Sequence, residues 1–208
     1  PRGCSRLDVV AGTPLRGVGA WLYTESGSLL ASASGPSPTL YACGPAGRVR
    51  LDAESLARPG PFALELRSEA QTPAALVENP LAASRLLSRM VERGVISLTR
   101  RVGAVYSHPV SSTALSRQKL LVPAGRCLDV TGAIGPGASG LELRLVAGGD
   151  RELALGRGEF ATSARACAVD ASGADLVAEL RVATGSATAL LTAHLVDPRA
   201  RESGGKPR

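Results

Sequence analysis

Aromatic residues are scarce in this sequence: one Trp, three Tyr and two Phe among 208 residues. Any core must therefore be assembled from Leu, Val and Ala, without large rings to fix its packing. Lysine is nearly missing, at Lys119 and Lys206 alone, whereas Arg is abundant. With the surplus of Ala and Gly, that skew is of the kind GC-rich coding produces, so the number of arginines is not read as function. No run of 18 apolar residues occurs, which leaves no candidate for a membrane-spanning helix. No basic, apolar, small-residue leader is recognisable either. There are only two His, His108 and His194, neither with a companion at ligand spacing, and no C-x-x-C pair; a zinc site is not expected. The glycine runs at 135–137 and 148–149 lack the Lys-Ser/Thr end and following helix of a phosphate loop. No Gly-x-Ser-x-Gly elbow is present, and no two carboxylates stand out as an acid–base pair. The expectation is a protein with no cofactor, no metal and no catalytic centre.

What is present is a repeat. The stretch from Cys127 to Cys167 has a partner near the start, from Cys4 to Cys43. Each places Leu-Asp-Val soon after the first Cys (Leu7, Asp8, Val9; Leu128, Asp129, Val130). Each then passes through an alternating apolar segment and a Gly-containing turn to a Leu-Ala pair (Leu30, Ala31; Leu153, Ala154) before closing on Ala-Cys. Four Cys allow three pairings, and the repeat selects Cys4 with Cys43 and Cys127 with Cys167. Two disulfides imply an oxidising, extracytoplasmic compartment, periplasmic or secreted. They also suit copies of under 100 residues, whose single cores are marginal without a cross-link.

Val18, Ala20 and Leu22 alternate with Gly19, Trp21 and Tyr23; Leu141, Leu143 and Leu145 alternate with Glu142 and Arg144. A period of two with charge on one side describes a half-buried antiparallel strand. Further short strands are read at 29–33, at Val49 and Leu51, at Phe62, Leu64 and Leu66, and at 118–122, 176–182 and 189–196. The expected fold is all-β: two tandem small antiparallel β-sandwich, jelly-roll-like domains joined by a linker containing one α-helix. Their bounds are 1–70, with a linker at 71–115 and its helix at about 80–93, then 116–197 and a disordered tail at 198–208. Repeat two has an apolar strand, residues 118–122, just ahead of its first Cys, and repeat one has only Pro1-Arg2-Gly3. Its first strand is thus expected to lie upstream, in a longer protein, or to be replaced by another segment, since an unfilled sheet edge is a pairing hazard.

Asn79 as N-cap, Pro80 at the first helical position and Gly94 at the end delimit the linker helix, with Leu81, Leu86, Leu87, Met90 and Val91 as its apolar stripe. Arg85, Arg89 and Arg93, continued by Arg100 and Arg101, form the densest charge in the chain and a candidate contact for an anionic polymer or nucleic acid. Aromatics interleaved with those arginines would favour nucleic acid, and only Tyr106 is near. Trp21 and Tyr23 share a strand face and make a candidate stacking platform for a glycan or partner. His108, as a base beside a Ser, carries the alternative of a hydrolase. Asp8 and Asp129 are read as making strand-end hydrogen bonds rather than holding calcium, which needs six or more oxygens.

The segments VPAGRCLDVTGAIGPGASGLELRLVAGGDRELA and GADLVAELRVATGSATALLTAHL resemble the bacterial pre-peptidase C-terminal domains: a strand ending in a Gly turn, a Leu-x-Leu-x-Leu strand, a Gly-Asp turn and two closing strands. The resemblance covers residues 118–196 and, more faintly, 4–67. It departs from the family in its Cys pairs and in lacking Tyr-rich closing strands. It implies a jelly-roll-like sandwich attached to a secreted protein, acting as a non-catalytic accessory or binding module on protein or glycan of the cell envelope. It assigns no functional residue.

Overall fold

The computed structural model describes residues 3–44, 48–68, 72–94, 104–148, 151–168 and 173–198. It is mostly β, with antiparallel sheets and two short helices. The chain divides into two compact units, residues 1–88 and 89–208. Arg100, Arg101, the Gly149-Asp150 turn and the tail from residue 199 lie outside the described residues.

The first unit holds six strands: β1 (Gly3–Ala11), β2 (Val18–Thr24), β3 (Leu29–Gly35), β4 (Thr39–Gly44), β5 (Val49–Ser55) and β6 (Phe62–Ser68). They form two three-stranded sheets, β4-β1-β6 and β3-β2-β5. Alternation puts Val9, Val18, Ala20, Leu22, Leu30, Ala31 and Leu40 into one core, as side chains of period two require. Two helices follow, α1 (Ala74–Glu78) and α2 (Pro80–Glu92). The sequence reading anticipated only α2. Asn79 ends α1, its side-chain amide donating to the Ala75 carbonyl, while its backbone carbonyl accepts from Ala83 to open α2. Ala82, Ala83, Ser84, Leu86, Leu87, Ser88 and Met90 of α2 are buried.

Helix α2 also closes a sheet edge. The Cys43 and Tyr41 amides on β4 donate to the hydroxyls of Ser84 (3.0 Å) and Ser88 (3.3 Å). Serines four apart on a helix are about 6 Å apart along its axis, close to the ~6.6 Å between alternate residues of a strand. The helix therefore meets, hydroxyl by hydroxyl, amides that a neighbouring strand would otherwise take.

The second unit contains β7 (Val105–Ser111), β8 (Ser116–Val122), β9 (Cys127–Ile134), β10 (Ala138–Ala147), β11 (Arg151–Gly158), β12 (Ala161–Cys167) and β13 (Ala174–Val196). They make one seven-stranded, nearly closed sheet, β11-β10-β13-β9-β12, in which β13 also pairs with β7 and β8. The two closing strands read from the sequence are one continuous strand. It bends at Gly185, whose φ of 77° only glycine adopts freely. Its first half pairs with β10 and β8, its second with β9 and β7. Residues 105–111, placed in the linker by the sequence reading, are strand β7 of this sheet. The core is built from Val110, Leu120, Val122, Val130, Ile134, Leu141, Leu143, Leu145, Leu180 and Leu191, among others.

The six strands of the first unit follow the same pairing scheme as β9 to β12 and the two halves of β13 in the second. β1 pairs with β4 and β6 as β9 pairs with β12 and the second half of β13; β2 pairs with β3 and β5 as β10 pairs with β11 and the first half of β13. Cys4 faces Cys43 as Cys127 faces Cys167, and Val18 faces Gly35 as Leu141 faces Gly158. Both β2–β3 and β10–β11 shift register at the same step, Leu22/Tyr23 and Leu145/Val146. Apart from Cys43 and Cys167, displaced by one further residue, these matches share one offset and correct the alignment drawn from Leu-Asp-Val. Leu7, Asp8 and Val9 stand where Val130, Thr131 and Gly132 stand, two residues from the other triplet. A slip of two keeps every side chain on its face, so alternation alone does not detect it.

Candidate functional site

Both Cys pairs are disulfides joining directly opposed residues of neighbouring strands, with Cα atoms 4.0 Å apart for Cys4 and Cys43 and 3.9 Å for Cys127 and Cys167. Two such bonds belong with an oxidising compartment. No described helix is long and apolar enough to cross a membrane.

Beside each disulfide, on the same strand face, a buried aspartate meets arginine. Asp8 accepts from Arg6 Nε at 3.0 Å and from the Thr39 hydroxyl. Burial pushes the Asp8 carboxyl up, but hydrogen bonds from Arg6 and Thr39 outweigh it and hold the pKa below the ordinary value. Asp129, fully buried, accepts from Arg165 Nε and Nη2 at 3.0 and 2.9 Å and from Arg93 at 3.1 Å. Facing it across the ladder is His194, whose pKa is lowered by burial and partly restored by the Asp129 charge. Among the described residues no group of three or more His, Cys, Asp or Glu could hold a metal ion. Both aspartates act on arginines.

The arginine row does not form one free face. Arg93 is turned to Asp129, and Arg89 pairs with Glu92 at 2.8 Å. His108 sits on β7 between Tyr106 and Val110, which face the core. Its Nε2 has no hydrogen-bond partner among the described residues, so none of their serine hydroxyls is bonded to that nitrogen. All four Cys are bonded, so no thiol does either.

The faces turned away from the two cores differ more sharply. On β10, β11, β13 and β8 that face carries two clusters of ion pairs. Glu142 takes Arg157 at 2.9 Å and Arg181 at 3.1 Å. Glu179 takes Arg117 at 2.9 Å and Arg144 at 3.3 Å, and Arg144 also holds Glu152 at 2.9 Å. Hydrogen bonding from Arg157 holds the Glu142 carboxyl below its ordinary range, outweighing partial burial, and the Arg181 charge adds to this.

The same places in the first unit carry different chemistry. By the shared register Gly19 stands for Glu142, Trp21 for Arg144 and Tyr23 for Val146, while Asp52 and Glu54 of β5 stand for Glu179 and Arg181. The Trp21 ring lies over Gly19, close enough that a Cβ there would be 2.6 Å from it. The Arg50 guanidinium stacks 4.6 Å from the centre of the Tyr23 ring, a cation–π distance, and also pairs with Asp52 at 3.2 Å. Ser32 and Ser34 on β3 flank Trp21 and Gly19. Trp21 and Tyr23 are both partly exposed. The sequence singled out these two rings; it did not show that Arg50, Asp52 and Glu54 surround them. Those residues alternate on β5 with Val49, Leu51 and Ala53, a signal that becomes specific only once β5 is known to lie beside β2.

No family model matches the chain, and no curated protein sequence matches it significantly. Among solved structures it is similar to the oxalate decarboxylase of Bacillus subtilis, at 10% identity and a TM-score of 0.21, over 86% of this chain and 65% of that one. It is similar also to a structure of infectious bursal disease virus, Gx strain, at 7% identity and a TM-score of 0.21, over 96% of this chain and 57% of that one. The chain thus spans about two thirds or less of these proteins. TM-scores this low define no shared fold.

Proposed function

We propose that the chain is a non-catalytic, extracytoplasmic binding module, a tandem of jelly-roll-like β-sandwiches of the kind the pre-peptidase C-terminal domains represent. It takes a glycan of the cell envelope on the outer face of β3-β2-β5. One observation carries the reading. Where the second unit neutralises its own face with arginine–glutamate pairs, the first places two aromatic rings among a guanidinium, two carboxylates and two serine hydroxyls. A ring offers a sugar an apolar stacking surface, and the carboxylates and hydroxyls around it accept and donate to sugar hydroxyls. The disulfides fit the compartment in which such a partner is met. The arginine row has no comparable support, because Arg89 and Arg93 are engaged within the chain.

Trp21 is the sole tryptophan, so selectively excited tryptophan emission reports on this face alone. Titration with soluble envelope polysaccharide fragments is expected to shift and quench the emission, and Trp21→Ala is expected to abolish binding measured by calorimetry. Unchanged emission across the fragments, or equal binding by Trp21→Ala, refutes the assignment.

A further inference from the structure

The two units carry one strand-pairing scheme but complete it to different extents. In the second, both halves of β13 have a partner on each side: β10 and β8 on the first half, β9 and β7 on the second. In the first, the matching strands β5 and β6 have one partner each among the described residues, β2 and β1. Strands β7 and β8 do more than satisfy backbone groups. They bring Val110, Leu120 and Val122 into the second core, with Tyr106 packed against it.

The side chains register the difference. Phe62, Leu64 and Leu66 face the way Leu7, Val9 and Ala11 face, towards the core, yet they are 47%, 54% and 69% exposed. Ala189 and Leu191, in the places of Phe62 and Leu64, are fully buried. Val49 is 48% exposed where its counterpart Leu176 is 2% exposed. Exposed apolar side chains on an unpaired edge invite another strand. The opposite edge of the same unit shows the contrast, because β4 is covered by the Ser84 and Ser88 hydroxyls. Charge matches as well: Asp52 of β5 stands where Glu179 meets Arg117 of β8.

We propose that the β5–β6 edge is a strand-acceptor site whose occupant is a pair of consecutive strands of the β7–β8 kind, joined ahead of β1 as β7–β8 is joined ahead of β9. Its inner strand residues are apolar at alternate positions, two of them covering Val49 and Leu64, and it offers a cation to Asp52. Pairing adds main-chain hydrogen bonds along both strands, and the alternating side chains close the core, which is the general logic of strand addition. The inference does not depend on the aromatic face, and its test reads different residues.

The test duplicates residues 104–126 ahead of Gly3 in the otherwise intact chain, where a short connection gives an effective concentration in the millimolar range. The expected result is slowing of amide exchange in β5 and β6 by about ten-fold or more, with a higher unfolding midpoint for the first unit. The same fusion with Arg117→Glu in the added copy is expected to lose part of that protection, by opposing Asp52. Should the fusion fold poorly, the free 104–122 peptide added to the unfused chain at millimolar concentration is expected to protect the same amides. Exchange in β5 and β6 that neither the fused nor the free segment slows overturns the proposal. So does protection already present in the unfused chain that grows with protein concentration, which would make a second copy the occupant. Sugar binding at Trp21 can fail or succeed without moving these readouts.

Discussion

Removing the Ser84 hydroxyl should expose how the first unit closes its β4 edge. Ser84 is fully buried and its oxygen does two things: it accepts from the Cys43 amide at 3.0 Å and donates to the Pro80 carbonyl at 2.9 Å. The Pro80 carbonyl also accepts the ordinary helical bond, so it loses a second partner only. The Cys43 amide loses its sole partner on that side. Leaving a buried donor unsatisfied costs about 1–3 kcal/mol, against which Ala gains roughly 0.5 kcal/mol over Ser in a helix. Ser84→Ala should therefore destabilise the first unit by about 0.5–2.5 kcal/mol despite improving helix propensity. Ser88→Ala should cost towards the lower end, since its bond to Tyr41 is longer at 3.3 Å. The two hydroxyls bond different amides, and the double variant should be additive within about 0.5 kcal/mol. Denaturant unfolding gives the energies, and amide exchange gives the location: Cys43 should accelerate in Ser84→Ala and Tyr41 in Ser88→Ala. A neutral or stabilised Ser84→Ala with unchanged Cys43 exchange would refute the account of α2 as the cover of this edge.

Two further outcomes follow from the second unit. A Cβ on Gly185 would lie 2.0 Å from the Gly137 carbonyl oxygen, at a φ of 77°; Gly185→Ala should therefore cost more than the ~1–2 kcal/mol of the left-handed conformation alone, measured as a loss in unfolding free energy. His194 has a pKa lowered by burial from 6.5, so the unfolded chain binds its proton more readily. Stability from this group is complete above pH 6.5 and declines as pH falls towards the folded pKa; His194→Gln should flatten that limb of a pH series of unfolding midpoints, and an unaltered limb would count against it.

The parts of this fold legible in the sequence are those written in short-range pattern. Val18, Ala20 and Leu22, and Leu141, Leu143 and Leu145, lie in the cores because alternation reports which face a residue takes. Nearly equal spacing of the Cys pairs, 39 and 40 positions, reported partners because a disulfide joining opposed residues repeats with the ladder that carries it. Pro80 and Gly94 bracketed α2 through the backbone restrictions of those two residues. Relations between strands were not legible. The two-residue displacement of Leu-Asp-Val is invisible to a period of two, and turn lengths that set register carry no simple code. The strands read at 176–182 and 189–196 are one, continuous through Gly185. Val105–Ser111 was disguised by Pro109 and by polar residues that alternate with Tyr106, His108 and Val110. Asp129 could not be matched with Arg165 from the sequence, since 36 positions separate them.

The divergence between the units has a physical direction. Cross-strand charge pairs each contribute only about 0.2–1 kcal/mol to a sheet, so replacing a lattice such as Glu142, Arg144, Glu179 and Arg181 costs little once other forces hold the strands. Both units carry the matching disulfide, and in the first the α2 cover adds a further hold at the β4 edge, while β2 and β5 carry rings in place of mutual neutralisation. The exchange is not neutral in its consequences. An arginine–glutamate lattice satisfies its own charges and has little left for a ligand, whereas Trp21 and Tyr23 keep partly exposed apolar surface and Asp52 and Glu54 keep acceptors at its margin. Self-neutralisation and available surface therefore trade against each other at matching positions of the two units.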